Sequence, residues 1–312
     1  MNAVLDERVP GDDRTTVSLR ALIALRERIG RVRLQPLASR AAHAGQRSSR
    51  LYGRGMDYAE SRAYQAGDDV RRLDWRLTAR SGKLHTKLFQ EDREGSVLIV
   101  LDTHASMRFG TRARFKSVQA ARAAATVAWC AAHAGERVGI VGFGSVNRIL
   151  RPQGGVRGAL AVCGALAQWD ALPTSAGDEP LSAALLRARR LAHGASRVVL
   201  ISDGFSCDVA ARAPLHELTQ RATVGVLLVA DALELQLPPS GSYPLEYNGK
   251  RELTVLRSER QRRDFLRVLG TGAARLHALA EGLHLRLAQV DTAGDACAAA
   301  VRLLAPKWAA PT

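Results

Sequence analysis

Two aspartates stand at the ends of apolar runs, and their placement is what could support chemistry. Asp102 closes SVLIVLD at 96–102 and Asp203 closes RVVLISD at 197–203. Continuous apolar runs of this length predict strands buried on both faces of a parallel sheet. In such sheets ligands sit beyond the carboxyl ends of the strands, where the strand order reverses. Ser106 follows Asp102 by four residues, in the turn before a helix. Carboxylates and hydroxyls converging on one crevice are hard oxygen ligands suited to Mg²⁺, with a coordination position left open for another molecule. The competing reading makes both aspartates strand-end acids that cap neighbouring helices.

The elements that must position these residues alternate from residue 96 onward. Strand-like runs at 96–102, 137–143, 197–203, 223–230 and 283–290 exchange with helical patterns at 113–135, 155–169, 180–194, 213–222, 257–282 and 295–305. Gly135 closes the first of these helices, and Pro180 opens the third. A short run at 147–152 ends at a proline, as edge strands do. The alternation predicts a doubly wound, mostly parallel α/β sheet covered by helices on both faces. Residues 231–257, with Pro238–Pro239 and Asn248–Gly249, predict a hairpin excursion. Upstream, 1–50 reads as a tail through 16, a helix at 17–33 with Leu19, Leu22, Ile23 and Ile29 on one side, and a linker from 34. Residues 51–94 form a separate Gly/Arg/Asp-rich accessory module, and 95–305 the main domain.

Composition narrows the function classes. The chain has 312 residues and a formal charge of +15. Ten arginines face one acid between Arg14 and Arg54, and eight arginines and one lysine face one acid between His104 and Arg157. Such surfaces attract nucleic acid, anionic membranes or acidic proteins. Aromatic interleaving and nucleic-acid motifs are missing from the sequence, so an acidic protein is the favoured partner and nucleic acid a disfavoured one. No apolar run suffices for membrane insertion and no secretory h-region opens the chain, which predicts a cytoplasmic protein. The four scattered cysteines read as buried free thiols.

Two motifs are set aside. GTRARFKS at 110–117 misses a phosphate-binding loop by one residue, because Phe115 stands where the second glycine would be; Lys116 then reads as a solvated first-turn residue. Asp102, His104 and Ser106 are the residue types of a hydrolase triad, but along one extended segment they stand too far apart.

DTHAS at 102–106 resembles the D-x-S-x-S motif of von Willebrand factor A domains, whose metal site takes an acidic ligand from the partner protein. The segment GRGMDYAESRAYQAGDDVRRLDWRLTARSGKLHTKLFQEDRE at 53–94, continued by DTHASMRFGTRARFKSVQAARAAATVAW at 102–129, resembles a bacterial family known as domain of unknown function 58. The resemblance covers about 46–305. It implies a von Willebrand A-like fold, no catalytic residues, and a partnership with MoxR-type AAA+ ATPases, beside which members are typically encoded. It also implies metal-site positions at Asp102, His104, Ser106, Glu179 and Asp203. Two depart from the pattern: His104 replaces a serine, and Glu179, in GDEPLSAALLRA, replaces a threonine. The expectation is a degenerate site holding a divalent cation, Mg²⁺ or Mn²⁺, weakly or not at all; an imidazole among carboxylates suits a transition metal better.

The accessory module interleaves Arg54, Arg62, Arg71, Arg72 and Arg80 with Asp57, Glu60, Asp68, Asp69 and Asp74. It reads as a salt-bridged, mostly loop-built clasp pinned by Tyr58, Tyr64 and Trp75, and as a docking surface. Arg108, Arg112, Arg114 and Lys116 are expected to flank the crevice and face an acidic partner. The function expected is a non-enzymatic adaptor that binds a MoxR-type ATPase or an acidic client protein. The rivals are a metal-dependent hydrolase using His104 and Glu179, and a basic nucleic-acid-binding module.

Overall fold

The computed structural model describes residues 12–29, 56–65, 68–91, 95–173, 179–192, 197–247 and 250–305. The expected linker at 34–50 lies outside them. The chain divides into two compact units, one of residues 39–94 and one combining 1–38 with 95–312.

The larger unit is built on a six-stranded sheet. Its strands are β3 (Ser96–Asp102), β4 (Arg137–Phe143), β5 (Ile149–Gly154), β6 (Arg197–Ser202), β7 (Thr223–Ala230) and β10 (Arg286–Asp291). The spatial order is β10-β7-β6-β3-β4-β5. Every pairing is parallel except β4 with β5, which is antiparallel at the sheet edge. From β3 the chain steps to β4 on one side and later returns to β6 on the other. The order therefore reverses between β3 and β6, at the strand ends that carry Asp102 and Asp203.

Strand alternation divides the core into two layers. Val97, Ile99 and Leu101 of β3 join Val199 and Ile201 of β6 on one face; Leu98, Val100, Val198 and Leu200 point to the other. The first layer is covered by α1 (Leu19–Ile29), α3 (Lys116–His133), α4 (Gly155–Asp170) and α10 (Ala296–Leu304). The second is covered by α5 (Leu181–Leu191), α6 (Arg212–Thr219) and α9 (Thr271–Gly282). Helix α3 is buried along almost its whole length, which its run of alanines allows, and Gly135 follows it at φ +73°. This is the doubly wound α/β architecture the alternation predicts, with one antiparallel strand at the sheet edge. Cys130, Cys163 and Cys297 are buried free thiols, and burial pushes Cys130 and Cys163 up to about 12. Cys207 is half-buried.

The amino-terminal region departs from expectation twice. Residues 12–16 are tied down rather than frayed: the Phe115 N–H donates to the Arg14 carbonyl at 2.8 Å and Arg122 pairs with Asp13 at 2.6 Å. The next residue joins them, the Val17 N–H donating to Asp170 at 2.8 Å. Helix α1 is then part of the main core. Leu22, Leu25 and Ile29 are buried, the Trp129 indole donates to the Leu22 carbonyl at 3.1 Å, and Leu19 and Ile23 face outward. The inward stripe thus runs i, i+3, i+7 from Leu22, beside the one read from the sequence.

The smaller unit pairs β1 (Met56–Ala63) with β2 (His85–Glu91) as an antiparallel ladder. Between them lie a 3₁₀ turn at Val70–Arg72 and the helix α2 (Trp75–Ser81). Among its described residues it is thus the loop/β module expected, with a short helix added. The excursion after β7 holds the one-turn helix α7 (Ala232–Leu235) and the hairpin of β8 (Gly241–Tyr247) and β9 (Lys250–Leu256). Helix α8 (Glu259–Leu269) follows and breaks from α9 at Gly270.

Leu25→Ala should cost about 2–4 kcal/mol, as a core truncation does, whereas Ile23→Ala should stay within about 0.5 kcal/mol. Urea unfolding of both variants checks this; equal effects would detach α1 from the core.

Candidate functional site

Asp102 is the last residue of β3, and its buried carboxylate is fully engaged. Oδ1 accepts the His104 N–H at 3.0 Å and faces the His104 Nδ1 at 2.7 Å. Oδ2 accepts the Ser202 hydroxyl at 2.6 Å and the Ser206 hydroxyl at 2.9 Å. The segment turns immediately after the strand, into a 3₁₀ turn at Ala105–Met107. That turn brings His104 back onto Asp102, a contact an extended segment could not make. Ser106 is half-buried in the turn but is not among the donors to Asp102. The serines that do the work come from the other strand end, on either side of Asp203. Gly144, at φ +96°, lies under the His104 ring; a Cβ there would stand 2.6 Å from Nδ1.

Asp203 is equally enclosed. Its Oδ1 accepts the Phe205 N–H at 3.1 Å, and its Oδ2 accepts from the Lys116 ammonium at 2.9 Å. Lys116 is 0% exposed. Its Nζ also donates to Glu234 Oε1 at 2.6 Å and lies over the rings of Phe109 and Phe205, 5.6 and 5.3 Å from their centroids. Glu234 is held in turn by the capping box of α7. Its Oε2 accepts the Asp231 N–H at 2.7 Å while Asp231 caps the helix. The buried Asp231 carboxylate also accepts the hydroxyls of Thr111 at 2.7 Å and Thr292 at 2.6 Å. Lys116, expected on the surface, is the buried centre of this network.

Glu179 lies apart from these carboxylates in its bonding: its Oε2 takes Arg187 at 2.8 Å and the Gly144 N–H at 3.4 Å. The five expected metal positions are therefore occupied by internal partners or turned elsewhere. The side chains of His104, Lys116 and Arg187 sit on the oxygens of Asp102, Asp203 and Glu179 that a divalent ion would need. Among the described residues no group of three or more His, Cys, Asp or Glu side chains is arranged to hold a metal ion. The residues present do not fit a Mg²⁺ or Mn²⁺ site, and the expected donor set is corrected accordingly.

The expected basic rim is also largely spent inside. Arg108 donates to the Asp170 carbonyl at 2.6 Å, and Arg114 donates to the Asp13 carbonyl at 3.0 Å. Of the four, Arg112 alone is exposed. In the smaller unit, Arg54 lies outside the described residues. Arg62 pairs with Asp68 at 2.7 Å. Asp69 caps the 3₁₀ turn, and the buried Asp74 caps α2 through the Leu77 N–H at 3.1 Å while taking the Ser61 hydroxyl at 2.8 Å. Arg71 and Arg80 are exposed. Trp75 does not pin the unit: it is 67% exposed. Tyr64 is half-buried.

Sequence reading missed Ser202, Ser206, Asp231 and Glu234. The last pair was legible as the capping-box spacing D-x-x-E in DALE at 231–234. The serines carried no signal beyond flanking Asp203.

Burial would depress the His104 pKa, but the Asp102 bond and charge, Asp203, and a hydrogen bond to the Glu179 main chain outweigh it and hold it above its ordinary value. Burial would raise the Asp102 pKa, yet the His104 and Ser202 donors hold it below the usual carboxylate range. A raised histidine contributes stability that is fully present below its unfolded pKa, about 6.5, and is lost as pH rises through the folded value. Wild-type Tm should therefore decline from about pH 6.5 upward relative to His104→Gln. Thermal melts across pH check this; parallel curves would mean that the imidazole titrates alike in the folded and unfolded chain.

Similarity to known proteins was found at two levels. Uncharacterized protein Rv1480 of Mycobacterium tuberculosis is 29% identical over 259 residues, covering 82% of this chain and 80% of that protein, and Mb1516 of Mycobacterium bovis matches equally. Among solved structures, the conserved hypothetical protein BatB of Bacteroides thetaiotaomicron is 16% identical, covers 67% of this chain and 97% of that one, and superposes at a TM-score of 0.41. A von Willebrand factor type A protein of Catenulispora acidiphila is also 16% identical, over 60% of this chain and 44% of that one, at 0.35. At those scores the likeness is one of general architecture. The family model described as protein of unknown function DUF58 matches residues 60–272, about two-thirds of the sequence, and the chain belongs to that family.

Proposed function

We propose that this chain is a non-catalytic adaptor that binds an acidic protein partner, and that its smaller unit carries the contact. The observation that carries this reading is Trp75, 67% exposed at the first turn of α2, with Val70 62% exposed nearby in sequence. Around them in the chain Arg71, Arg76, Arg80 and Lys83 are exposed. Of the acids in the same stretch, Asp68 pairs with Arg62, Asp74 is buried as the cap of α2, and Asp69 caps the 3₁₀ turn while staying exposed. A large aromatic among exposed arginines has the composition of an interface hot spot, and the excess of basic over acidic exposed side chains favours a partner of opposite sign.

The family resemblance makes a MoxR-type AAA+ ATPase the first partner to test, with an acidic client protein as the alternative. The strand-end crevice has no binding role in this reading. Its carboxylates are already paired with protein donors, so partner binding through a metal-bridged acid is not part of the proposal. Among the described residues no helix is long and apolar enough to cross a membrane.

The test is binding of the purified full chain to a purified MoxR-type ATPase in Mg²⁺ and in EDTA. Trp75→Ala should weaken the complex roughly tenfold or more. Arg76→Glu with Arg80→Glu should slow association and flatten its salt dependence. Binding unchanged in both variants would remove this surface from the function. Loss of binding in EDTA with Asp102→Ala equally defective would instead return the contact to the crevice.

A further inference from the structure

We propose that the Lys116 ammonium is the resident cation of the strand-end crevice, a charge built into the chain in the place where converging carboxylates would otherwise draw a divalent ion from solution.

Three observations carry this. First, the amine is wholly enclosed and bonded to two carboxylates from different loops, Asp203 at 2.9 Å and Glu234 at 2.6 Å. A buried ion pair persists only when each charge is met and hydrogen-bonded, and here Asp203 Oδ1 and Glu234 Oε2 are satisfied separately by the main-chain N–H groups of Phe205 and Asp231. Second, the remaining faces of the amine are aromatic. Phe109 and Phe205 bring ring centroids to 5.6 and 5.3 Å, which stabilises a desolvated ammonium and offers nothing to Mg²⁺, a hard ion that requires about six oxygens in octahedral array. Third, the amine is positioned by its backbone. The Lys116 N–H donates to the Phe109 carbonyl at 2.8 Å, closing the loop between β3 and α3 so that the side chain starts α3 beneath the strand ends.

The consequence is that loops from three strand ends are joined through one tethered cation: the loop after β3 through Lys116, the loop after β6 through Asp203, and the loop after β7 through Glu234. A metal ion would perform that joining reversibly, with its concentration. Lysine performs it permanently. Removing the amine should leave two buried carboxylates facing a space the size of an ammonium, and so convert the crevice into a site that answers to divalent ions.

The experiment is thermal unfolding of the full-length protein in EDTA, Mg²⁺ and Mn²⁺, for wild type, Lys116→Ala, Lys116→Met and the double variant Lys116→Ala/Glu234→Gln. Wild-type Tm should not respond to either ion. Both single variants should lose roughly 10 °C. Lys116→Ala should recover part of that loss with saturable Mn²⁺ dependence, while Lys116→Met, whose side chain fills the space, and the double variant should recover none. Wild-type protein that binds one Mn²⁺ by electron paramagnetic resonance, and releases it on Asp203→Asn, overturns the proposal. So does a Lys116→Met variant as stable as wild type, or a folded Lys116→Ala variant indifferent to both ions. Where Lys116→Ala does not fold, the wild-type Mn²⁺ titration still decides the matter, since stoichiometric uptake is incompatible with a resident ammonium.

Discussion

A lysine with no exposed surface dictates much of what surrounds it. An ammonium withdrawn from water is tolerable only beside opposite charge and with its hydrogen bonds made. Lys116 draws both partners from the far side of the sheet in sequence, 87 and 118 residues away. Its demands pass outward: Glu234 must be presented by the α7 capping box, Asp231 must be held by Thr111 and Thr292, and Phe109 and Phe205 must turn their faces inward. The carboxyl edge of the sheet is thereby closed by side chains. Asp102 repeats the pattern one strand over, with His104, Ser202 and Ser206 filling its oxygens.

The same logic accounts for the arginines. A formal charge of +15 suggests a molecule coated in cations, but several arginines act as staples on main-chain carbonyls. Arg137 donates to Pro152 at 2.8 Å, Arg212 to Gly282 at 3.0 Å, and Arg108 to Asp170 at 2.6 Å. A guanidinium has five donors and no acceptor, and it can close a helix carboxyl end or a loop while its stem packs on apolar surface. These bonds fix where each guanidinium points without cancelling its charge, since a carbonyl is neutral. In the smaller unit Arg71, Arg76 and Arg80 are exposed, while Asp68 and Asp74 are engaged by Arg62 and by the cap of α2.

How far the sequence could be read follows the range of the interactions involved. Strands β3, β4, β6, β7 and β10 were legible because a buried parallel strand is a local apolar run, and Asp102 and Asp203 because each ends one. The antiparallel edge strand β5 was legible through its proline. Strand β1 and helix α2 were not: MDYAESRA and WRLTARS are short and polar, and their stability rests on the pairing of β1 with β2 and on the Asp74 cap, neither of which is a periodicity. Lys116 was misread for a related reason. The first turn of a helix is ordinarily wet, and the two carboxylates that pair with this lysine lie more than eighty residues away. The contact between Asp102 and His104 was rejected on extended-strand geometry, although a turn directly after β3 folds the two together.

A crevice whose charges are all met internally and a small unit that shows a tryptophan to solvent place the two functional candidates on unequal terms. Recognition needs surface that gains on being covered, and an exposed indole gains whereas a carboxylate already holding two or more donors must first give them up. The His104 pair belongs to the second kind. Breaking it to admit a ligand would uncover a buried carboxylate and an imidazole whose pKa is raised by that very contact. On the proposed reading, partner binding and strand-edge integrity would be separable by mutation. Substitutions at Asp102, Lys116 or Asp203 act first on folding stability, and a loss of binding in those variants carries weight only when the folded fraction has been measured alongside it.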